Sequence, residues 1–115
     1  MNLFERKTFN SHSGLPLQWK VECDALTDKD LSTLAFLVSL KFQFGTVIGV
    51  PTGGLRFAAA LQSYCTSGPR LIVDDVLTTG NSIIEYKEFD DDIGVVIFSR
   101  GICPDWVTPI FHTNF

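Results

Sequence analysis

The chain has 115 residues and a mass of 12.8 kDa, the size of a single domain. Apolar residues make up 45% and charged residues 19%, a balance that excludes intrinsic disorder and allows one sizeable core. Nine basic against thirteen acidic residues leave a net charge of −4 without any basic stripe, so neither nucleic acid nor a membrane surface is an expected partner.

Cys23, Cys65 and Cys103 are odd in number and widely spaced, and they form no metal-ligand pattern. They are expected to be buried or half-buried thiols in a reducing compartment. No apolar run approaches a membrane span, and the first residues lack the apolar stretch of a signal peptide. A cytoplasmic protein is expected.

In chain order, Leu17 to Cys23 alternates apolar and polar side chains, the period of a strand with one wet face. Thr27 is a candidate N-cap for a helix with apolar residues at Leu31, Leu34, Ala35, Leu37, Val38 and Phe42, ended by Gly45. Thr46 to Val50 is a β-branched run suited to a strand covered on both faces. A turn at Pro51-Thr52-Gly53-Gly54 leads to a helix from Leu55 to Cys65. Leu71 to Val73 is a second buried strand, followed by a polar turn over 74–80 and a short helix over 81–89. Gly94 to Phe98 is a third. This alternation predicts a three-layer α/β domain, its central mostly parallel sheet flanked by helices with right-handed crossovers. Ligands in such sheets bind beyond the carboxyl ends of the strands, which directs attention to loops 51–54, 74–82 and 99–106.

The most informative stretch is Leu71-Ile72-Val73-Asp74-Asp75-Val76-Leu77-Thr78-Thr79-Gly80-Asn81-Ser82. A buried strand delivers two adjacent carboxylates, and the residues after them supply hydroxyls and backbone N–H groups at the start of a helix. Such donors can cradle a phosphate, while the carboxylates accept hydrogen bonds from ribose hydroxyls and stabilise positive charge at an anomeric carbon. The same residues could also form an acidic turn ahead of an ordinary capped helix.

This stretch resembles the phosphoribosyl pyrophosphate (PRPP) signature of type I phosphoribosyltransferases: four apolar residues, two acids, two small or apolar residues, then T-T-G-x-S. The resemblance implies that Asp74 and Asp75 face the ribose as the catalytic acids, and that Thr78, Thr79, Gly80, Asn81 and Ser82 hold the 5′-phosphate. Val47 to Ala58 is similar to the family's first loop, which implies pyrophosphate contacts from Pro51, Thr52, Gly53 and Gly54. Family members often carry Lys or Arg in that loop; here Arg56 is the nearest cation, with a solvated helix residue as the alternative. Ser13-Gly14 and Val95 to Gly101 resemble segments of the orotate branch. They imply a small N-terminal hood over residues 1–26 and a core over 27–115 within one domain, with Arg100 and Trp106 as base-binding candidates. Arg100 could equally be a surface charge and Trp106 a core residue. Mg²⁺ is implied as cofactor, brought with the substrate and meeting Asp74 and Asp75 through water. A homodimer is also implied, and an apolar face left exposed by ten Phe would suit one.

One part of the family pattern is missing. Only Thr66 to Pro69 separate the second helix from the PRPP strand, too few for the flexible lid of catalytic members. The expectation is a phosphoribosyltransferase that joins phosphoribose to a nucleobase, orotate or another pyrimidine, with release of pyrophosphate. The alternatives are a non-catalytic PRPP- or nucleotide-binding module and an interaction protein that kept only the fold. Receiver, dehalogenase and Walker readings each lack a required residue. His12 and His112 are isolated, and Asp90-Asp91-Asp92 reads as a solvated turn.

Overall fold

The computed structural model describes residues 26–79 and 81–113. The expected strand over 17–23 and most of the hood segment lie outside these residues. Helix α1 spans Asp28–Lys41 and begins where Thr27 predicts. The Thr27 hydroxyl accepts from the Asp30 amide and the Asp30 carboxylate accepts from the Thr27 amide, both at 3.0 Å, a closed capping box. Leu31, Leu34, Ala35 and Val38 form its buried stripe, while Leu37 is half exposed. Strand β1 (Thr46–Gly49) follows, then α2 (Leu55–Leu61) with a 3₁₀ turn at Gln62–Tyr64.

Strand β2 runs from Arg70 to Leu77, α3 is one turn at Asn81–Ile84, β3 is Ile93–Arg100 and β4 is Val107–Thr113. The four strands form a parallel sheet in the order β1-β2-β3-β4, so the domain is α/β with helices flanking a parallel sheet. Several details differ from the sequence reading. β2 continues through the acids to Leu77, because Asp74 and Val76 pair with Val96 and Phe98 of β3. The helix expected over 81–89 is four residues long. A fourth strand is present, and Pro109 is tolerated in it because an edge strand can do without one N–H donor.

Side chains alternate across the sheet and build a core on each face. Leu71, Val73, Val95 and Ile97 pack under α1 and α2, together with Val47, Phe57 and Leu61. Ile72, Val96 and Val107 point the other way and meet Ile83 of α3, with Tyr86, Cys103 and Trp106 beside them. The connections β1–α2–β2 and β2–α3–β3 therefore advance in the same direction over opposite faces. Two such crossovers have opposite hands, so one departs from the right-handed rule expected of both. The consequence matters for function: the chain leaves β1 toward one face and leaves β2 toward the other, opening a crevice between two adjacent strand ends.

At the other end of the sheet, Arg70 and Asp92 lock the entries of β2 and β3. The Asp92 carboxylate is buried and accepts from Arg70 Nε (3.0 Å), Arg70 Nη2 (2.7 Å) and the amides of Glu88 (2.8 Å) and Phe89 (3.0 Å). This corrects the solvated-turn reading for Asp92. The guanidinium hydrogen bonds hold its pKa well below the usual carboxylate range.

Candidate functional site

The first wall of the crevice is the turn after β1. The Val50 amide donates to the Val73 carbonyl at 2.9 Å, extending the β1–β2 ladder by one residue. Gly54 then donates back to the Val50 carbonyl (2.8 Å) and Leu55 to that of Thr52 (3.2 Å), which hands the chain to α2. The peptide between Pro51 and Thr52 is cis. Gly53 and Gly54 allow close approach within the chain without positive φ. A Cβ on Gly54 would collide with the Val73 carbonyl, and one on Gly53 would collide with the Asp75 carboxylate. The loop thus packs directly on the acid pair.

The floor is Asp74 and Asp75, held in β2. Asp74 Oδ1 accepts from the Asp75 amide at 2.8 Å, and Asp75 Oδ1 accepts from the Val76 amide at 2.7 Å. Asp74 is only 8% exposed. Burial and then the adjacent Asp75 carboxyl push its pKa up to about 7. A charge on Asp74 is therefore costly, and a donor or a cation brought to it would offset that cost.

The acids divide two recesses. Asp74 lines a small polar one of about 30 Å³ with Thr78, Thr79 and Ser82. Asp75 lines a cavity of about 640 Å³ with Thr52, Gly53 and Arg56. The opposite walls of that cavity are apolar: Leu26, Leu31, Leu55, Phe57 and Ile97. Nothing in the sequence separated these wall residues from ordinary core positions, since their periodicity is the same.

The remaining candidates fall unevenly. Pro51 is exposed at the loop tip. Thr78, Thr79 and Ser82 line the small recess, while Gly80 lies outside the described residues and Asn81 opens α3. One turn of helix carries little dipole, so the hydroxyls and local amides must hold any anion there. Arg56 lines the Asp75 cavity, with its guanidinium donating to the Leu26 carbonyl (2.8 Å) and to Asp28 (3.2 Å). Arg100 ends β3 on the same side of the sheet as the loops, next to Ser99, which pairs with Leu77. Trp106 lies elsewhere: its carbonyl accepts from the Gly94 amide (2.8 Å) at the amino ends of β3 and β4, and its ring packs on Gly94 beneath Lys87. A base-stacking role for Trp106 does not fit that position, and it is assigned to the core. Ser99, whose fully buried hydroxyl accepts from the Cys103 thiol at 3.1 Å, was not anticipated; a polar residue ending an apolar strand is its only sequence signal.

No protein-family model matches the chain, and a comparison with curated proteins finds no match. Fold and site define a small α/β domain whose parallel sheet carries an acid pair between two recesses at its carboxyl end. None of the described helices is long and apolar enough to cross a membrane.

Proposed function

We propose that this is a phosphoribosyltransferase-like domain of type I that binds PRPP with Mg²⁺ and transfers its phosphoribosyl group to a nucleobase. The observation that carries the reading is that loop 51–54 packs on Asp75 while Asp74 lines a recess with Thr78, Thr79 and Ser82, so the two adjacent acids link the two loops. Their sequences resemble the family's two ligand loops, and the fold brings those loops together. In this reading the 5′-phosphate rests against the hydroxyls, the ribose hydroxyls donate to Asp74 and Asp75, and the acids offset positive charge at the anomeric carbon. A base nitrogen forms the new C–N bond as the C–O bond to pyrophosphate breaks, and the base releases its N–H proton. Arg100, at the same end of the sheet, is the candidate for an acidic pyrimidine such as orotate.

Mg²⁺ fits the donor set, because adjacent carboxylates are hard oxygen ligands. When bound it would supply positive charge to the leaving pyrophosphate. A second reading, a non-catalytic PRPP or nucleotide sensor, is favoured by Arg56 facing Asp28 and by the four-residue link Thr66–Pro69. Two further proposals rest on surface features. Free Cys65 and Cys103 suit a reducing cytoplasm, and exposed Phe36, Leu37 and Leu40 on α1 suit a homodimer.

Calorimetric titration of PRPP, with and without Mg²⁺, tests the assignment. We expect metal-dependent binding that weakens at least about 10-fold in the double variant Asp74→Asn, Asp75→Asn. Equal affinity in that variant would remove the acids from the ribose site. Pyrophosphate release with orotate, uracil or a purine base then separates the enzyme from the sensor.

A further inference from the structure

Helix α1 is apolar on more than its buried side. Leu31, Leu34, Ala35 and Val38 are buried, yet Phe36 and Leu37 are half exposed and Leu40, one turn further on, is more exposed still. A helix that is apolar all round is expected to be covered all round. Beside this ridge a groove of about 340 Å³ separates the last turns of α1 from the sheet, lined by Leu37, Leu40 and Lys41 on one side and by Val95, Thr108 and Ile110 on the other. The face thus carries a ridge and a hollow side by side. It shares no lining residue with the cavity beside Asp75.

Charge indicates what can cover it. A two-fold dimer sets a face against its own copy, so a charge near the axis meets a like charge. In a chain of net charge −4 that disfavours any surface bearing acids. None of the thirteen acids falls within 31–73, 93–104 or 106–115, the stretches that supply this face. Lys41 is the one charge lining the groove, and it is exposed at the end of α1, where an ammonium can stay in water. Pro109 takes a donor from β4, an edge strand, which discourages addition of a further strand and leaves side-chain packing as the mode of contact.

We propose that α1 and β4 form the two-fold interface of a homodimer, in which the Phe36–Leu40 ridge of each protomer packs into the groove between α1 and β4 of its partner. The inference rests on the homodimer proposed above and adds which face closes it. It does not depend on the ligand held at the acid pair.

Sedimentation velocity of the full chain from about 5 to about 500 µM tests it, a range that spans tight and weak pairs. At the upper end the wild type should sediment as a species of twice the 12.8 kDa chain mass. Leu40→Glu changes an exposed residue, so the fold loses little, but it brings a carboxylate into each groove and should raise the dimer Kd at least about 10-fold. Phe36→Glu, at the other end of the ridge, should do the same. Ile84→Glu adds the same charge at an exposed apolar position of α3, on the opposite face of the sheet, and should change Kd by less than about 3-fold. A dimer that survives both α1 variants, or that Ile84→Glu weakens equally, would overturn this interface and leave the homodimer standing. A wild-type chain that stays monomeric throughout would overturn both, and the face would then belong to residues 1–25 or to another protein.

Discussion

At the amino end of β2, Arg70 meets Asp92; at its carboxyl end, Asp74 meets Asp75. Both places bury a carboxylate beside the sheet, and there the likeness stops. Asp92 is buried with opposite charge and four hydrogen bonds, and Arg70 is further held by the Tyr86 carbonyl (3.1 Å) and by the Phe89 ring 4.9 Å away. Asp74 is buried beside like charge and accepts from the Asp75 backbone amide. Every group at the first end is satisfied by the chain itself, which makes it an anchor. At the second end, the Asp74 carboxylate lies beside a like charge, so a donor or a cation brought to it would offset the cost of its ionisation.

The comparison is broken most directly by removing the anchor. Asp92→Asn keeps the shape, but its NH₂ group faces donors and Arg70 loses its buried counter-charge, keeping only the exposed Glu88 carboxylate at 3.6 Å. We expect a loss of about 3 kcal/mol in urea denaturation at neutral pH, from breaking a buried, hydrogen-bonded pair. The wild-type contribution has a definite pH signature. The folded-state pKa of Asp92 lies below its unfolded value, so its stabilisation is present above the ordinary carboxylate range and is lost as the pH falls through the folded pKa. Urea midpoints for wild type and variant should converge in acid. Parallel curves would mean that the pair contributes packing and no charge.

The acid pair should behave with the opposite sign. Between the ordinary value of 3.8 and its folded value of about 7, Asp74 binds more protons in the folded chain than in the unfolded one. Stability without ligand therefore declines as the pH rises across that window and levels off above it. Asp74→Asn removes the ionisable group, so the variant should be more stable than wild type at pH 8 by about 2 kcal/mol and lack the decline. Thermal unfolding at pH 5, 6, 7 and 8 measures this. A variant less stable than wild type at every pH would show that the Asp74 carboxylate is satisfied after all.

What could be read from residues alone follows the same division. The buried strands were legible because Val47-Ile48, Leu71-Ile72-Val73 and Val95-Val96-Ile97 are apolar runs, and the start of α1 because Thr27 and Asp30 have capping-box spacing. The acids and Thr78-Thr79-Gly80-Asn81-Ser82 stood out because polar residues cluster after such a run. The full length of β2 was hidden: acids interrupt its apolar pattern, and only the pairing of Asp74 with Val96 and of Val76 with Phe98 keeps the strand extended. Asp92 was hidden among three identical residues that differ only in whether Arg70 reaches them. The faces taken by α2 and α3 are tertiary facts without a local signal, yet they open the crevice.

A second Arg–Asp pair sharpens the contrast. Arg56 meets Asp28 at 3.2 Å with side chains 49% and 99% exposed, whereas the side chains of Arg70 and Asp92 are 21% and 0% exposed. The residue types are the same and the setting is not. In water the Coulomb gain is screened and the long side chain loses rotamer freedom, so an exposed pair stabilises by at most about 1 kcal/mol. Arg56→Met should therefore shift the urea midpoint far less than Asp92→Asn. It also separates the two roles offered for Arg56. A guanidinium committed to Leu26 and Asp28 predicts PRPP affinity within about 2-fold of wild type, whereas a pyrophosphate-binding arginine predicts a loss of 10-fold or more, as for other charge-assisted contacts to phosphate. A large loss of affinity with little change in stability would return Arg56 to the ligand site and weaken the distinction drawn between the two recesses.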